Sequence, residues 1–327
     1  MQPLNDKQAA ALKATRLNNA ALATVAVLPS PSENERKTTM LSAYYELAKP
    51  GITKMVVLSA SAGYYLALPQ PLEHFAQTAH VVNFVVTVLG TTLVAAGSCA
   101  LNNYLERDYD KLMKRTMNRP LPSGRLQPIQ ALIFGLGIAL LGLGLLATTN
   151  WLVVVLAAVT LISYVVVYTP LKRKTTLSLL VGGVPGAIPT LGGWAAAAGG
   201  LNEGAWILFG ILFFWQMPHF LSLSWMYKQD YARGGFKMLA VLDEHGKVLA
   251  TQSIAYILAL TAITVMLSIV GATGKIYLVA GVALCGYFLF RGIQLFRDVS
   301  IINARKMLIS SYLYLLGIIM LIFLDKV

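Results

Sequence analysis

Charge is scarce in this chain: Asp, Glu, Lys and Arg together make up 12% of its 327 residues, about half the share of an ordinary soluble domain. With 57% hydrophobic residues and a mean hydropathy of +0.65, water is not its main solvent. Cysteine is scarcer still. Cys99 and Cys285 each stand alone inside an apolar run, which argues against a disulfide scaffold and against a Cys/His zinc site. Acid is also short, with 14 Asp and Glu against 26 Lys and Arg, for a net charge of +12. In a soluble protein that excess would suggest nucleic acid. In a membrane protein it is the ordinary signature of Lys and Arg gathered in loops on one side, so nucleic acid is not expected as a partner and a lipid bilayer is.

What the chain has in abundance is long apolar runs. A bilayer core about 30 Å thick takes roughly 20 mainly apolar residues as a helix. The runs predict nine transmembrane helices: Thr53 to Leu68, Val81 to Tyr104, Ile129 to Ala147, Trp151 to Thr169, Thr176 to Ala198, Ala205 to Met226, Ala250 to Val270, Ile276 to Phe290 and Met307 to Leu324. The fold class is therefore all-α and polytopic. Internal Gly182-Gly183-Val184-Pro185-Gly186 and Pro189 would break a soluble helix but are tolerated in a membrane, where neighbours satisfy the freed backbone groups. Residues 1–41 read as a disordered cytoplasmic tail and residues 42–327 as the membrane domain. Asp6, Glu33 and Glu35 disfavour a transit peptide.

The basic residues test this topology. Of the 26, all but Lys275 and Lys326 fall on one side of the nine-helix arrangement, which predicts a cytoplasmic N-terminus; the expected location of this multi-pass protein is the bacterial inner membrane, with the mitochondrial inner membrane as the alternative. The far-side connections are short and nearly uncharged. Candidate chemistry gathers in the loops after helices two, four and six.

The first cluster runs from Asn102-Asn103-Tyr104-Leu105-Glu106-Arg107-Asp108-Tyr109-Asp110 to Arg119-Pro120-Leu121-Pro122-Ser123-Gly124-Arg125. If helix two continues into the cytosol, Asn102, Glu106 and Asp110 recur every four residues, each turned about 40° from the last over about 12 Å, while Asp108 faces elsewhere. Such an oxygen-rich stripe suits Mg²⁺, and the basic residues beyond it suit phosphate. Spacing alone equally allows a solvated helix end with ion pairs inside the helix; a stripe that begins within an apolar run favours function. The second cluster, Tyr168-Thr169-Pro170-Leu171-Lys172-Arg173-Lys174, is either a topology determinant or a site for a diphosphate or carboxylate. The third is Pro218-His219-Phe220, followed by Gln229-Asp230-Tyr231. Among His, Lys, Arg, Asp and Glu residues, His219 alone stands deep in an apolar segment, as a packing residue or as a ligand.

Taken together, these motifs resemble the UbiA superfamily of intramembrane prenyltransferases. The long first motif with Arg115 to Gly124 downstream carries the likeness, and Asn102-Asn103, Tyr168 to Arg173, Pro218-His219-Phe220, Asp230-Tyr231, Gly234 and Met238-Leu239 match the branch that farnesylates haem. The resemblance covers about residues 42–324. It implies a helical cavity with motif-bearing loops at its cytoplasmic mouth, and Mg²⁺, farnesyl diphosphate and protohaem (haem B) as the reacting set. In that reading Asn102, Glu106, Asp110 and Asp230 hold the metal, and Arg115, Arg119, Lys172 and Arg173 bind diphosphate. Tyr164, Tyr168 or Phe214 would face the farnesyl cation and His219 would contact haem. A haem A synthase or an oxidase assembly protein is the expected partner. Glu106 stands where Asp is commoner, Gln229 where a further acid is common, and Phe236-Lys237 before Met238 is atypical. Two competing expectations are prenylation of an aromatic acid or quinone precursor, and secondary transport. The first is disfavoured by Asn103 and Pro218-His219-Phe220, the second by the near-absence of charge at mid-membrane.

Overall fold

The computed structural model describes residues 33–327, with side chains from Met40 onward. The tail expectation for residues 1–32 lies outside them, and a helix begins at Glu33, ahead of the expected boundary at 41. Residues 42–327 form one compact unit. Apart from a lone pairing of Thr273 with Lys326, the regular structure among the described residues is all helical.

The helices, in chain order, are α1 (Glu33–Leu47), α2 (Pro50–Ala67), α3 (Pro71–Phe75), α4 (Thr78–Asp110), α5 (Pro128–Ala147), α6 (Trp151–Leu171) and α7 (Ser178–Ala198). They continue as α8 (Glu203–Met226), α9 (Lys228–Arg233), α10 (Leu239–Leu242), α11 (Lys247–Ile269), α12 (Lys275–Arg297) and α13 (Ile301–Leu324). Eight of these, α4 to α8 and α11 to α13, are long and apolar enough to cross a membrane. The remaining expected segment forms a helix, α2, that falls short of the other eight in apolar character: its 18 residues include Lys54, Ser59 and two tyrosines. It packs along α7 and α4. A helix lined by protein can carry these polar groups, and Ser59 and Thr53 satisfy their hydroxyls on backbone carbonyls at 2.9 and 2.8 Å.

The molecule is apolar on the outside. Ile133 and Leu140 on α5 are each 65% exposed and Trp151 is 74% exposed, a surface that water would not tolerate but lipid does. Since lipid tails are as apolar as Leu, these helices associate by close packing rather than by the hydrophobic effect. Glycines make it close where α4 meets α5: a Cβ on Gly97 would stand 2.7 Å from the Gly135 carbonyl oxygen, and one on Gly142 would stand 2.7 Å from that of Gly90.

Two groups of helices result. One holds α2 and α4 to α7; the other holds α8 and α11 to α13; they join through α7 on α8 and α2 on α13. Between them lies a cavity of about 710 Å³.

Candidate active site

At 33 residues, α4 is about 50 Å long, well beyond the roughly 30 Å hydrocarbon core. Its last turns therefore stand at the polar end of the bundle. The helix passes Tyr104, where the apolar run stops, and reaches Asp110, so Asn102, Glu106 and Asp110 do share one face. That face is buried: the three residues are 1%, 6% and 1% exposed.

Their partners come from elsewhere in the chain. Lys49, just before α2, donates from Nζ to Asn102 Oδ1 at 2.7 Å, and Asn102 Nδ2 donates to Thr169 Oγ1 at 3.0 Å. Lys172 Nζ meets Glu106 Oε1 at 2.6 Å, and Arg119 Nη1 meets Asp110 Oδ2 at 2.7 Å. Ion pairing within the helix is confined to exposed Asp108, which faces Lys111 at 3.2 Å and Arg107 at 3.7 Å. The stripe is thus not a solvated helix end.

Local structure explains how the second cluster reaches this face. The last part of α6 widens into a π-helical turn at Ser163–Tyr168. The Thr169 N–H bonds the Tyr164 carbonyl five residues back, and the Thr169 hydroxyl reaches the same carbonyl at 2.9 Å. Such turns concentrate at functional sites. Here Tyr164, Tyr168 and Lys172 all line the cavity, and Lys172 Nζ lies 4.5 Å from the Tyr168 ring centre. Burial works against the Lys172 charge, but Glu106 outweighs it and raises the pKa above the ordinary lysine range.

The loop after α8 closes the same end. The Lys237 N–H bonds the Lys172 carbonyl at 2.9 Å. Arg115 lies over the Tyr227 ring at 4.9 Å and near that of Tyr231 at 5.9 Å. Asp230 accepts from the Lys114 backbone N–H at 3.1 Å and pairs with Arg233. Met113, Phe236 and Met238 pack beneath as a small apolar cluster.

Of the nine residues predicted from sequence, Asn102, Glu106, Asp110, Arg115, Arg119, Lys172 and His219 line one cavity. Two do not. Asp230 is turned toward Lys114 and Arg233, tying the two loops together. Arg173 lies across Tyr109, donating to its hydroxyl at 2.5 Å with the guanidinium 3.9 Å from the ring centre. Phe214 is likewise off the cavity wall.

Sequence reasoning missed Lys49, which entered only as one of the basic residues gathered on one side of the membrane. It has the single positive φ of any non-glycine residue described, +47°. A residue before proline is kept from the right-handed helical region, and left-handed backbone in a side chain this large is a strain that persists where the surroundings demand it. Burial, with Arg119 nearby, pushes the Lys49 ammonium down to about 8.

Two features bear on a divalent cation. Among the described residues Asp110 Oδ1 is buried with no hydrogen-bond partner, an acceptor oxygen left open one helical turn from Glu106 on the same face. No group of three or more His, Cys, Asp or Glu among the described residues is placed to hold one ion. Mg²⁺ is commonly held by one or two carboxylates and by the phosphates of its substrate rather than by an all-protein cage. The donor set fits the ion on those terms. The cavity wall carries four cations, Lys49, Arg115, Arg119 and Lys172, to two carboxylates, Glu106 and Asp110. Its mouth is therefore built for a polyanion.

A helical bundle of this kind, with an acidic stripe and a cationic mouth over an apolar chamber, defines an intramembrane prenyltransferase architecture, and the chain belongs to the UbiA prenyltransferase family, whose profile matches residues 56–318. Among its relatives, the protoheme IX farnesyltransferase of Salinibacter ruber is 45% identical over 287 residues, covering 88% of this chain and 99% of that protein. That of Solibacter usitatus is 43% identical over 286 residues, covering 86% and 98%. The fold is shared with a digeranylgeranylglyceryl phosphate synthase (TM-score 0.71, 17% identity, 87% of this chain and 98% of that one). It is also shared with a UbiA homolog from Archaeoglobus fulgidus bound to GPP and Mg²⁺ (TM-score 0.59, 14% identity, 86% and 99%).

Proposed function

We propose that this protein transfers the farnesyl group of farnesyl diphosphate to a vinyl group of protohaem IX, giving haem O and diphosphate. The observation that carries it is a cavity whose cationic mouth opens onto an apolar interior with one histidine in its wall, joined to the 43–45% identity with protoheme IX farnesyltransferases over nearly their whole length.

Lys49, Arg115, Arg119 and Lys172 receive the diphosphate, and Asn102, Glu106 and Asp110 would hold Mg²⁺ against it. Asp230 supports that set by fixing the loop that carries Arg115. Bound Mg²⁺ would supply Lewis-acid stabilisation of the negative charge that grows on the leaving oxygens. The cations add to that charge stabilisation in a site shielded from water, where it counts most. As the allylic C–O bond breaks, its electron pair leaves with the diphosphate. Tyr164 and Tyr168, paired at 5.4 Å between ring centres in the cavity wall, offer aromatic faces to the farnesyl cation. The vinyl π electrons form the new C–C bond, and water adds to the resulting cation and loses a proton, leaving a hydroxyethylfarnesyl side chain.

Basic residues crowd the ends of the bundle that carry this mouth, which supports a cytoplasmic mouth and N-terminus in the bacterial inner membrane. A haem A synthase or oxidase assembly protein would take the product onward. Incubating the purified protein with farnesyl diphosphate, Mg²⁺ and either haem or 4-hydroxybenzoate, with mass analysis of the products, tests the reading. Farnesylated, hydrated haem is expected. Prenylated 4-hydroxybenzoate alone would replace it with the aromatic-acid reading.

A further inference from the structure

His219 sits on α8 with Ser311 of α13 beside it, His219 Nδ1 and Ser311 Oγ being 2.8 Å apart. Ser311 Oγ donates its one proton to the Leu308 carbonyl at 2.6 Å, so toward the imidazole it can only accept. With that proton on Leu308, the pairing assigns the ring proton to Nδ1 and leaves the Nε2 lone pair free. The Trp215 Nε1–H donates to the Ser311 carbonyl at 2.7 Å, which locks the serine to the same turn of α8. Trp215, Phe220 and Tyr312 surround the imidazole, with ring centres 5.2, 5.2 and 5.0 Å away. The ring is thus held in one tautomer and one orientation.

Among the described residues Nε2 has no hydrogen-bond partner, and it is not among the sealed, unsatisfied atoms of the interior. His219 lines the cavity. Nε2 is thus open to the cavity rather than sealed against apolar walls, where a bare polar atom is costly. In a ligating histidine one nitrogen is fixed by a hydrogen bond and the other is offered to a metal. The remaining three histidines, His74, His80 and His245, lie off the cavity.

We propose that Ser311 is a positioning residue that holds His219 as its Nδ1–H tautomer, so that Nε2 supplies an axial ligand to the iron of the porphyrin acceptor. The proposal rests on protohaem being that acceptor. The Nε2 lone pair forms one dative bond to iron, displacing water, and nothing is oxidised or reduced. Ligation from α8 and α13 pins the centre of the porphyrin to the wall contributed by the second helix group, which leaves its edge free to face the farnesyl carbon at the mouth.

Haemin titrated into the purified full-length protein in lipid nanodiscs tests this. The wild type is expected to show the absorption and magnetic circular dichroism of imidazole-bound iron, and an iron–histidine stretch by resonance Raman once reduced. This readout needs no variant. A thiolate spectrum, which cavity-lining Cys99 would give, or no protein ligand at all would overturn the proposal. His219→Ala is expected to lose the signature and at least tenfold in haemin affinity, with added imidazole restoring the spectrum. Ser311→Ala is expected to lower affinity about 10–100-fold, as removal of such supporting hydrogen bonds does, and to shift the iron–histidine stretch, while Ser311→Thr keeps both. Unchanged affinity and stretch in Ser311→Ala and Ser311→Val alike would remove the positioning role. Farnesyl transfer is measured alongside: imidazole-bound haemin without farnesylated product would sink the acceptor reading and leave the ligand, whereas full turnover with no imidazole signature would do the reverse.

Discussion

The Lys172–Glu106 pair separates a catalytic site from a structural ion pair. The two side chains are 11% and 9% exposed and 2.6 Å apart, so Lys172→Met leaves Glu106 buried without its nearest cation. Breaking a pair of this kind from one side costs about 3–5 kcal/mol. Lys49, bonded to Asn102 one turn away, compensates only in part, which sets the expected loss toward the lower end. Replacing both partners, as Lys172→Met with Glu106→Leu, removes the uncompensated charge and is expected to bring stability back to within about 1–2 kcal/mol of wild type, since apolar replacements of whole buried pairs are often neutral. Turnover is expected to respond differently. Each variant loses a group proposed to hold the diphosphate or its metal, and removal of one such stabilising group costs roughly 10²–10³ in rate. The double variant should therefore be stable and still inactive. Unfolding in mild detergent followed by tryptophan fluorescence, with single-turnover farnesyl transfer on the same samples, reads both quantities. A double variant that recovers stability and turnover together would refute the assignment of these residues to chemistry.

Three further outcomes are expected. Because burial holds Lys49 near 8, it is charged below that pH and neutral above it, so kcat/KM for farnesyl diphosphate should fall as pH rises through about 8, and Lys49→Arg should remove that limb of the profile. Asp110→Ala should abolish turnover while the protein still inserts, whereas Asp108→Ala, on the exposed side of the same helix, should stay within twofold of wild type in the same assay. Gly97→Ile should force α4 from α5, where even a Cβ would lie 2.7 Å from the Gly135 carbonyl, and is expected to cost at least about 1–3 kcal/mol as overpacking does, read as a lowered midpoint of unfolding.

The apolar runs were enough to place the helices because a membrane leaves few ways to satisfy a backbone. They misjudged ends. Helix α4 continues six residues past Tyr104 and α13 starts at Ile301 rather than Met307, because charge ends an apolar run without ending a helix; Ser300 caps α13 where the pattern gave no sign of a start. The Asn102, Glu106 and Asp110 stripe was legible because helical periodicity links neighbours in sequence. What each residue bonds was not: Lys49, Lys172 and Lys114 lie 53, 66 and 116 positions from their partners, and no local pattern reports such pairings. Lys49 was hidden for the further reason that its strained backbone is a property of the folded chain. Ser311, unremarkable in an apolar run, gains meaning only beside His219.

The most direct test of the central claim is a structure of the protein with Mg²⁺ and a non-ionising farnesyl thiodiphosphate. The expected result is the diphosphate among Lys49, Arg119 and Lys172, with the metal against Asp110 and Glu106 and the isoprenoid chain descending past Tyr164 and Tyr168. A diphosphate bound at any other face of the bundle, with these side chains still paired to one another, would contradict it.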